Sequence, residues 1–401
     1  MILSGEKKVI DYLIKNKYGL LFIAVNLVAV FIRISGYHFV SGDMNVYLIN
    51  WYNQIDNLGG ANALKNQVGD YNILYQELIA LAVFFRIPAL MTFKMLSIFF
   101  DFLLSVVVGL VASSFNVKNK FRNFLFGYSF SILSPLVVLN SSFWGQADSI
   151  YAFFVLFSIF LIIKDKFMLS FIMLGLALAF KLQTVFILPF FFLIYALKKN
   201  FSILYFVFLP LMLYVVAIPS FFFGRDLLSP LTIYANQTEG YPLLTLNMPN
   251  IWTFFGGSQY DLLHKFAFFL FSGVIIIGFV VLLDKFTEFD KVSYEQLLLS
   301  ALWFVWTAVM FLPAMHERYG FVIEMLIIAL AVVNIRKYFS ICLLMLIPIL
   351  IEYSKYLFLT NNVPDFVLSL LYITGYIITT YLLFLTSKQK NAVEGDSVID
   401  V

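Results

Sequence analysis

The sequence predicts an all-α polytopic membrane protein with about 12 transmembrane helices. Three observations carry that expectation. Hydrophobic residues make up 62% of the 401 and charged residues only 12%, with mean hydropathy +0.92. A soluble chain of this length could not cover its surface with so few charges. Apolar runs approaching the roughly 20 residues that cross a hydrocarbon core recur from one end to the other. The basic residues gather in the short gaps between those runs, as the positive-inside rule expects.

The spans fall at 18–36, 89–113, 122–140, 149–163, 167–181, 184–197, 201–220, 264–283, 294–312, 320–335, 338–357 and 366–386. Lys7, Lys8, Lys15 and Lys17 precede the first run, which is long for a signal-peptide core and lacks a small-residue cleavage site. It reads as an uncleaved span. The short apolar piece 71–85, closed by Arg86 and Pro88, decides everything after it. If it lies in the interface, the clusters at Lys118 to Arg122, Lys164/Lys166, Lys198/Lys199, Lys285/Lys291, Arg336/Lys337 and Lys388/Lys390 share the N-terminal side. About 17 of the 26 basic residues then sit on one side, the cytoplasmic one, with both termini. If it crossed, every later cluster would flip. The opposite, outer face carries two long loops, 37–88 and 221–263. The spans within 149–197 are short and expected to tilt or re-enter. A single membrane domain over 1–386 is followed by a polar tail, 387–401, expected to be disordered and cytoplasmic.

Composition also excludes. A net charge of +3, dispersed along the chain, gives no nucleic-acid footprint. The lone Cys342 allows no disulfide framework, and His38, His264 and His316 lack the local spacing of a zinc site. Without a Gly-rich phosphate loop or nucleotide fold, ATP or a nucleotide-sugar is not the expected energy source. No internal repeat is visible.

The informative stretch is 37–70, polar in an otherwise apolar chain. Ser41-Gly42-Asp43 places a carboxylate just beyond the first span, where Gly42 permits a tight turn. Met44, Tyr47, Leu48, Trp51, Ile55 and Leu58 then recur at steps of three and four, opposite Asn45, Asn50, Asn53 and Asp56. That pattern is an amphipathic helix suited to the membrane interface. Asp43 reads either as the chemical centre or as the N-cap of this helix.

Further unusual residues collect on the same face. Asn140-Ser141-Ser142-Phe143-Trp144-Gly145-Gln146-Ala147-Asp148 joins two spans, and Lys181 interrupts apolar sequence ahead of Pro189. The second long loop carries Arg225, Asp226, Tyr234, Asn236, Gln237, Glu239 and Tyr241. It continues through Asn247, Asn250 and Trp252, a polar and aromatic set suited to sugar stacking and hydroxyl hydrogen bonds. Met315-His316-Glu317-Arg318-Tyr319 lies in a fourth connection.

Gly42-Asp43, FWGQAD at 143–148 and MHERY at 315–319 together resemble the GT-C superfamily of membrane glycosyltransferases, which take a sugar from a polyprenyl-phosphate carrier. The two longer motifs look most like the branch containing the second mannosyltransferase of glycosylphosphatidylinositol assembly and its bacterial relatives. ALG-type glucosyltransferases and protein O-mannosyltransferases look more distant. The likeness covers most of the chain in layout but only these motifs in sequence. The first loop departs from the protein O-mannosyltransferases in showing a single Asp rather than a paired Asp-Glu, which argues against protein as acceptor.

The resemblance implies an inverting, metal-independent hexosyl transfer on the outer face of the cell membrane. The donor would be a sugar on polyprenyl (undecaprenyl) phosphate, and the acceptor an outer-surface glycan or lipid-linked molecule. Such chemistry asks for a base to take the acceptor hydroxyl's proton and for positive charge to meet the departing phosphate. Asp43 is the candidate base. Lys181, His316 and Arg318 are candidate phosphate ligands, and Trp144, Gln146, Asp148, Glu317 and Tyr319 are candidates for sugar or acceptor contacts.

Each has a plainer reading. Lys181 could snorkel, Arg318 could pair with Glu317, Asp148 could cap a span and Trp144 could anchor at the interface. Lys94 and Asp101, seven apart on one helix face, are expected to be structural. Glu352 and Lys355 at i and i+3 could pair, and Glu324 has no assigned role. Two other functions stay open. An oligosaccharide polymerase or ligase should show a long arginine-rich outer loop, and a flippase or transporter should show charges along a central path and paired repeats.

Overall fold

In a bilayer the backbone has only its own carbonyls to bond, so apolar runs become helices and end where Pro, Lys or a left-handed residue interrupts them. The computed structural model describes residues 4–115, 119–237, 242–255, 259–287, 289–360 and 363–385. The readings made for Lys118, Glu239, Tyr241 and the tail 387–401 lie outside the described residues.

The chain opens with α1 (Ser4–Gly36), then a π-helical turn, Met44–Leu48, running into α2 (Ile49–Asn57). A 3-10 turn, Gly60–Lys65, leads to α3 (Ile73–Phe84), and Pro88 starts α4 (Ala89–Ser113). Next come α5 (Lys120–Ile132) and α6 (Pro135–Val138), which continues as a π-helical turn, Leu139–Trp144. Then follow α7 (Asp148–Ile163), α8 (Phe167–Phe180), a 3-10 turn Leu182–Ile187 and α9 (Leu188–Lys198). Short helices α10 (Phe208–Val216), α11 (Ile218–Phe222) and α12 (Ser229–Gln237) precede a two-residue strand, β1 (Thr245–Leu246). The rest is α13 (Tyr260–Lys285), α14 (Tyr294–Phe311), β2 (Met315–His316), a 3-10 turn Glu317–Gly320, α15 (Phe321–Val333), α16 (Ile335–Phe358) and α17 (Asp365–Phe384).

The protein is an all-α membrane protein. Among the described residues six helices are long and apolar enough to cross a membrane: α1, α4, α13, α14, α16 and α17. A seventh is gained if α5 and the Pro135–Trp144 segment count as one span bent by 48°. That is fewer than the 12 expected from apolar runs alone. Several of the missing ones are present as shorter apolar helices of 10–17 residues, among them α7, α8 and the Leu182–Lys198 segment. The breaks have local causes. Pro135 bends the third run, left-handed Asp165 (φ 58°) separates α7 from α8, and extended Lys181 ends α8. At 12 residues α3 is about 18 Å long, short of the ~30 Å hydrocarbon core.

The core runs through α4, α7, α14 and α15, and α15 is buried on nearly every side. Two buried lysine and arginine contacts fix the start of the first long loop. Lys94 on α4 donates to three carbonyls at the end of α1, those of Gly36 (2.8 Å), Tyr37 (2.9 Å) and Phe39 (2.5 Å). Arg33 grips Asp101 Oδ2 through Nε (3.0 Å) and Nη2 (2.8 Å), while Ser141 and Ser149 donate to the same carboxylate. Lys94 and Asp101 are structural, as their helix spacing suggested.

The two long loops are stitched together. Buried Arg225 donates to the carbonyls of Leu64 (3.2 Å) and Asn66 (2.8 Å), to Gln76 Oε1 (3.0 Å) and to Gln67 Oε1. Burial holds the Arg225 guanidinium below its ordinary pKa, against the pull of Glu77. Glu77 in turn accepts from the Ser220 amide and hydroxyl. The second loop also pairs with the MHERY stretch through β1 and β2, in parallel, with Leu246 opposite His316.

Candidate functional site

The amphipathic pattern after Asp43 forms a helix, but only part of its apolar face is covered. Met44, Leu48 and Ile55 are buried, whereas Tyr47 and Leu58 are exposed. The first turn is π-helical and is not capped by Asp43, which has helical dihedrals and no side-chain bond to the turn. Ser41 Oγ accepts from the Met44 amide instead (3.2 Å). The cap reading of Asp43 is therefore set aside.

Asp43 faces the FWGQAD turn. Its Oδ2 accepts from Trp144 Nε1 (2.9 Å) and Gln146 Nε2 (2.8 Å), and its Oδ1 accepts from the Tyr356 hydroxyl. The turn that presents these donors depends on Gly145, left-handed at φ 77°. A Cβ added there would collide with Met44, which comes directly after Asp43. The two motifs are thus fitted to each other through a missing side chain.

Trp144 is buried rather than anchored at an interface. It stacks on Tyr356 with centroids 4.6 Å apart and meets Tyr353 edge-on at 5.1 Å. Gln146 is the junction of the site. Its Oε1 accepts from Arg318 Nη1 (2.7 Å) and from the Tyr71 hydroxyl (2.9 Å), while its amide nitrogen serves Asp43. Burial pushes the Tyr71 phenol above its usual pKa, opposed by Arg318, so it remains a donor.

Asp148, fully buried, opens α7. Its Oδ1 is ion-paired with Lys181, and its Oδ2 accepts from Asn140 Nδ2 (2.9 Å) and lies 4.0 Å from Arg318 Nη1. Lys181 is buried at the break after α8, between the rings of Tyr151 and Tyr319, each 5.4 Å away. It does not snorkel. Arg318 lies over the Trp144 and Tyr319 rings at 5.7 and 5.9 Å, and its described ionic partner is Asp148 rather than Glu317. Glu317 is buried with Oε2 unbonded, 3.9 Å from His316 Nδ1, and Arg318 Nε is also buried without a partner. His316 packs on Tyr319 (5.1 Å).

All nine residues singled out from the sequence thus fall in one connected cluster. Asp43 reaches Arg318 through Gln146, and Arg318 reaches Lys181 through Asp148. Three partners were not anticipated. Tyr356, Tyr71 and Asn140 are a tyrosine in a span, a tyrosine at a loop end and an asparagine among serines. Only the spacing of Tyr353 and Tyr356 on one face of α16, beside the Glu352–Lys355 pair (3.2 Å), carried a signal.

Other expectations are corrected. Asn250 and Trp252 are buried and spent on backbone, Asn250 Nδ2 donating to Val309 O (3.0 Å) and Trp252 Nε1 to Phe311 O (2.9 Å). They shape the second loop and present nothing for a sugar to stack on. Among the described residues no group of three or more His, Cys, Asp or Glu side chains is arranged to hold a metal ion. Comparison with models of known protein families and with curated proteins gives no match.

Proposed function

We propose that the protein is an inverting glycosyltransferase of the GT-C type that moves one hexose from a polyprenyl phosphate to an outer-surface glycan or lipid-linked acceptor. The observation that supports this most is a half-buried carboxylate held by three donors and joined through one glutamine to a cationic pair. A carboxylate has about four acceptor sites. Trp144 and Gln146 occupy both sites of Oδ2 and Tyr356 occupies one of Oδ1. One lone pair of Oδ1 is left for an incoming hydroxyl, which fixes the direction of approach.

In the reaction the acceptor oxygen attacks C1 of the sugar as Asp43 takes its proton. The bond from C1 to the phosphate oxygen breaks on the opposite face, and the lipid phosphate leaves with the electron pair. Inversion follows from this single displacement. Lys181 and Arg318, bridged by Asp148, give the departing phosphate two cationic groups to meet. Donors already in place where charge develops lower the barrier without reorganisation. The orphan Arg318 Nε and Glu317 Oε2 suit further phosphate and sugar-hydroxyl contacts, with His316 at their edge. Nothing in this scheme requires a metal.

An apolar cleft of about 350 Å³ suits the carrier's hydrocarbon chain. Val185, Leu188, Phe192, Phe271, Ile275 and Leu312 line it, four residues past Lys181 at one end and three before Met315 at the other. In this reading the shorter apolar helices complete a bundle of 12 membrane segments, with both termini cytoplasmic and Asp43 on the outer side.

The experiment is sugar transfer by purified protein in detergent from a panel of synthetic polyprenyl-phosphate monosaccharides. Wild type should turn over one of them, and Asp43→Asn should lose at least about 100-fold while staying folded, the usual contribution of a general base. Full activity in Asp43→Asn removes the assignment. Binding of a diphosphate-linked oligosaccharide without monosaccharide transfer replaces it with the polymerase or ligase reading.

A further inference from the structure

Glu324 takes no part in the scheme above, yet it sits in α15, the most enclosed helix of the fold. Its side chain has no exposed surface, and neither carboxyl oxygen has a hydrogen-bond partner. The titratable groups around it are Asp148 and Tyr151 on α7, Cys342 and Tyr353 on α16, and Tyr372 on α17. Tyr372 has an unbonded hydroxyl as well.

Among the described residues no cation is bonded to Glu324, although the Glu317–Gly320 turn packed at the start of α15 carries Glu317 and Arg318. On α4, Lys94 is held by carbonyls and Asp101 by Arg33. On α14, Glu295 is held by Lys337 and Tyr338, and the Lys120 and Arg122 of α5 stand at its first turn. The ionic charge that bears on Glu324 among the described residues is that of Asp148, which has the same sign. A carboxylate buried without partner or counter-charge keeps its proton rather than its charge.

We infer that Glu324 is a neutral carboxylic acid whose proton spares the Asp148–Lys181–Arg318 cluster a further negative charge where a phosphate ester is received. Were Glu324 ionised, it would add a negative charge beside Asp148 and weaken the attraction for the anion. Glu324 is thus a positioning residue for charge, touching neither sugar nor phosphate. This deepens the polyprenyl-phosphate reading and rests on it.

Two measurements on the full chain separate the inference from that reading. Infrared spectra of wild type minus Glu324→Gln should contain the carbonyl stretch of a protonated carboxylic acid, shifted by labelling with ¹³C-glutamate. Undecaprenyl phosphate should bind Glu324→Gln within about threefold of wild type, because the glutamine keeps shape and neutrality. Glu324→Lys should tighten that binding, or lose the fold. A missing carbonyl band, or a tightening of roughly tenfold or more in Glu324→Gln, the order expected from removing one negative charge near the site at moderate dielectric, would overturn the inference. If Glu324→Gln fails to fold, the ¹³C-shifted band in wild type alone decides the proton. Should neither protein bind undecaprenyl phosphate, the phosphate reading falls, and the role of Glu324 with it, even if the band is present.

Discussion

Removing the Lys181 ammonium tests whether the buried pair is a strut, a ligand site or both. In Lys181→Met, Asp148 keeps Asn140 at 2.9 Å and Arg318 at 4.0 Å, while its direct ionic contact is gone. Breaking a buried pair by deleting one partner costs about 3–5 kcal/mol, and the two surviving partners place this case near the lower end. Asp148→Asn strands the ammonium between the Tyr151 and Tyr319 rings, whose cation–π attraction offsets only about 0.5–2 kcal/mol. The double variant Asp148→Asn/Lys181→Met removes both members of the pair, leaves Arg318 its Gln146 bond, and should recover at least ~2 kcal/mol of the combined loss. Reversible unfolding in mixed micelles with a denaturing detergent reads these differences. A Lys181→Met protein within about 0.5 kcal/mol of wild type would refute the pairing. Undecaprenyl-phosphate binding separates strut from ligand. It should be lost in Lys181→Met and stay lost in the double variant even where stability returns.

Two more expectations concern the stitched loops. Arg225→Met should unfasten the first long loop at 60–72, since a charge-assisted hydrogen bond contributes ~1.5–3 kcal/mol and this guanidinium makes several. Limited proteolysis and amide exchange should open there, and unchanged protection would show that the guanidinium is not what fastens the loop. Glu77 lies half-buried against Ser220, and burial raises its carboxyl above the ordinary range against the Ser220 bonds and Arg225. A raised acid favours the folded contact below its unfolded pKa and loses that contribution as pH rises through the folded value. Amide protection across the α3–α11 contact should therefore weaken from acid toward neutral pH in wild type. Glu77→Gln, which still accepts from Ser220, should flatten the trend; an equal slope in both proteins would count against it.

The sequence revealed the site's composition better than its wiring. Asp43, Gln146, Asp148 and Arg318 stand out because a polar side chain in an apolar chain has few bland uses, and they do meet. What a single sequence cannot encode locally is which helix faces which. Tyr356 bonds Asp43 across 313 positions, and Arg33 bonds Asp101 across 68. Periodicity along a helix reports that a face is buried, never what buries it. The same limit explains Trp252 and Asn250. Aromatic and amide groups in a loop look alike whether they await a ligand or tie down backbone, and here they tie down Val309 and Phe311. Span counting overshot the number of long helices for another reason. Hydropathy registers α7, α8 and α9 as separate runs, and each forms a helix shorter than the roughly 20 residues of a full crossing.

The lysine that gathers the last carbonyls of α1 has a bearing on how the protein tolerates different bilayers. Most of α1 is lipid-exposed, with 22% of its apolar window buried, so on its own it would tilt as the hydrocarbon layer thickens or thins. Lys94 pins its end to α4, half of whose apolar window is packed inside the protein. The depth of Asp43 is thereby referenced to the bundle and not to the lipid. Reconstitution in short- and long-chain lipids should leave the height of that carboxylate above the core unchanged, with the mismatch absorbed by the more exposed N-terminal half of α1.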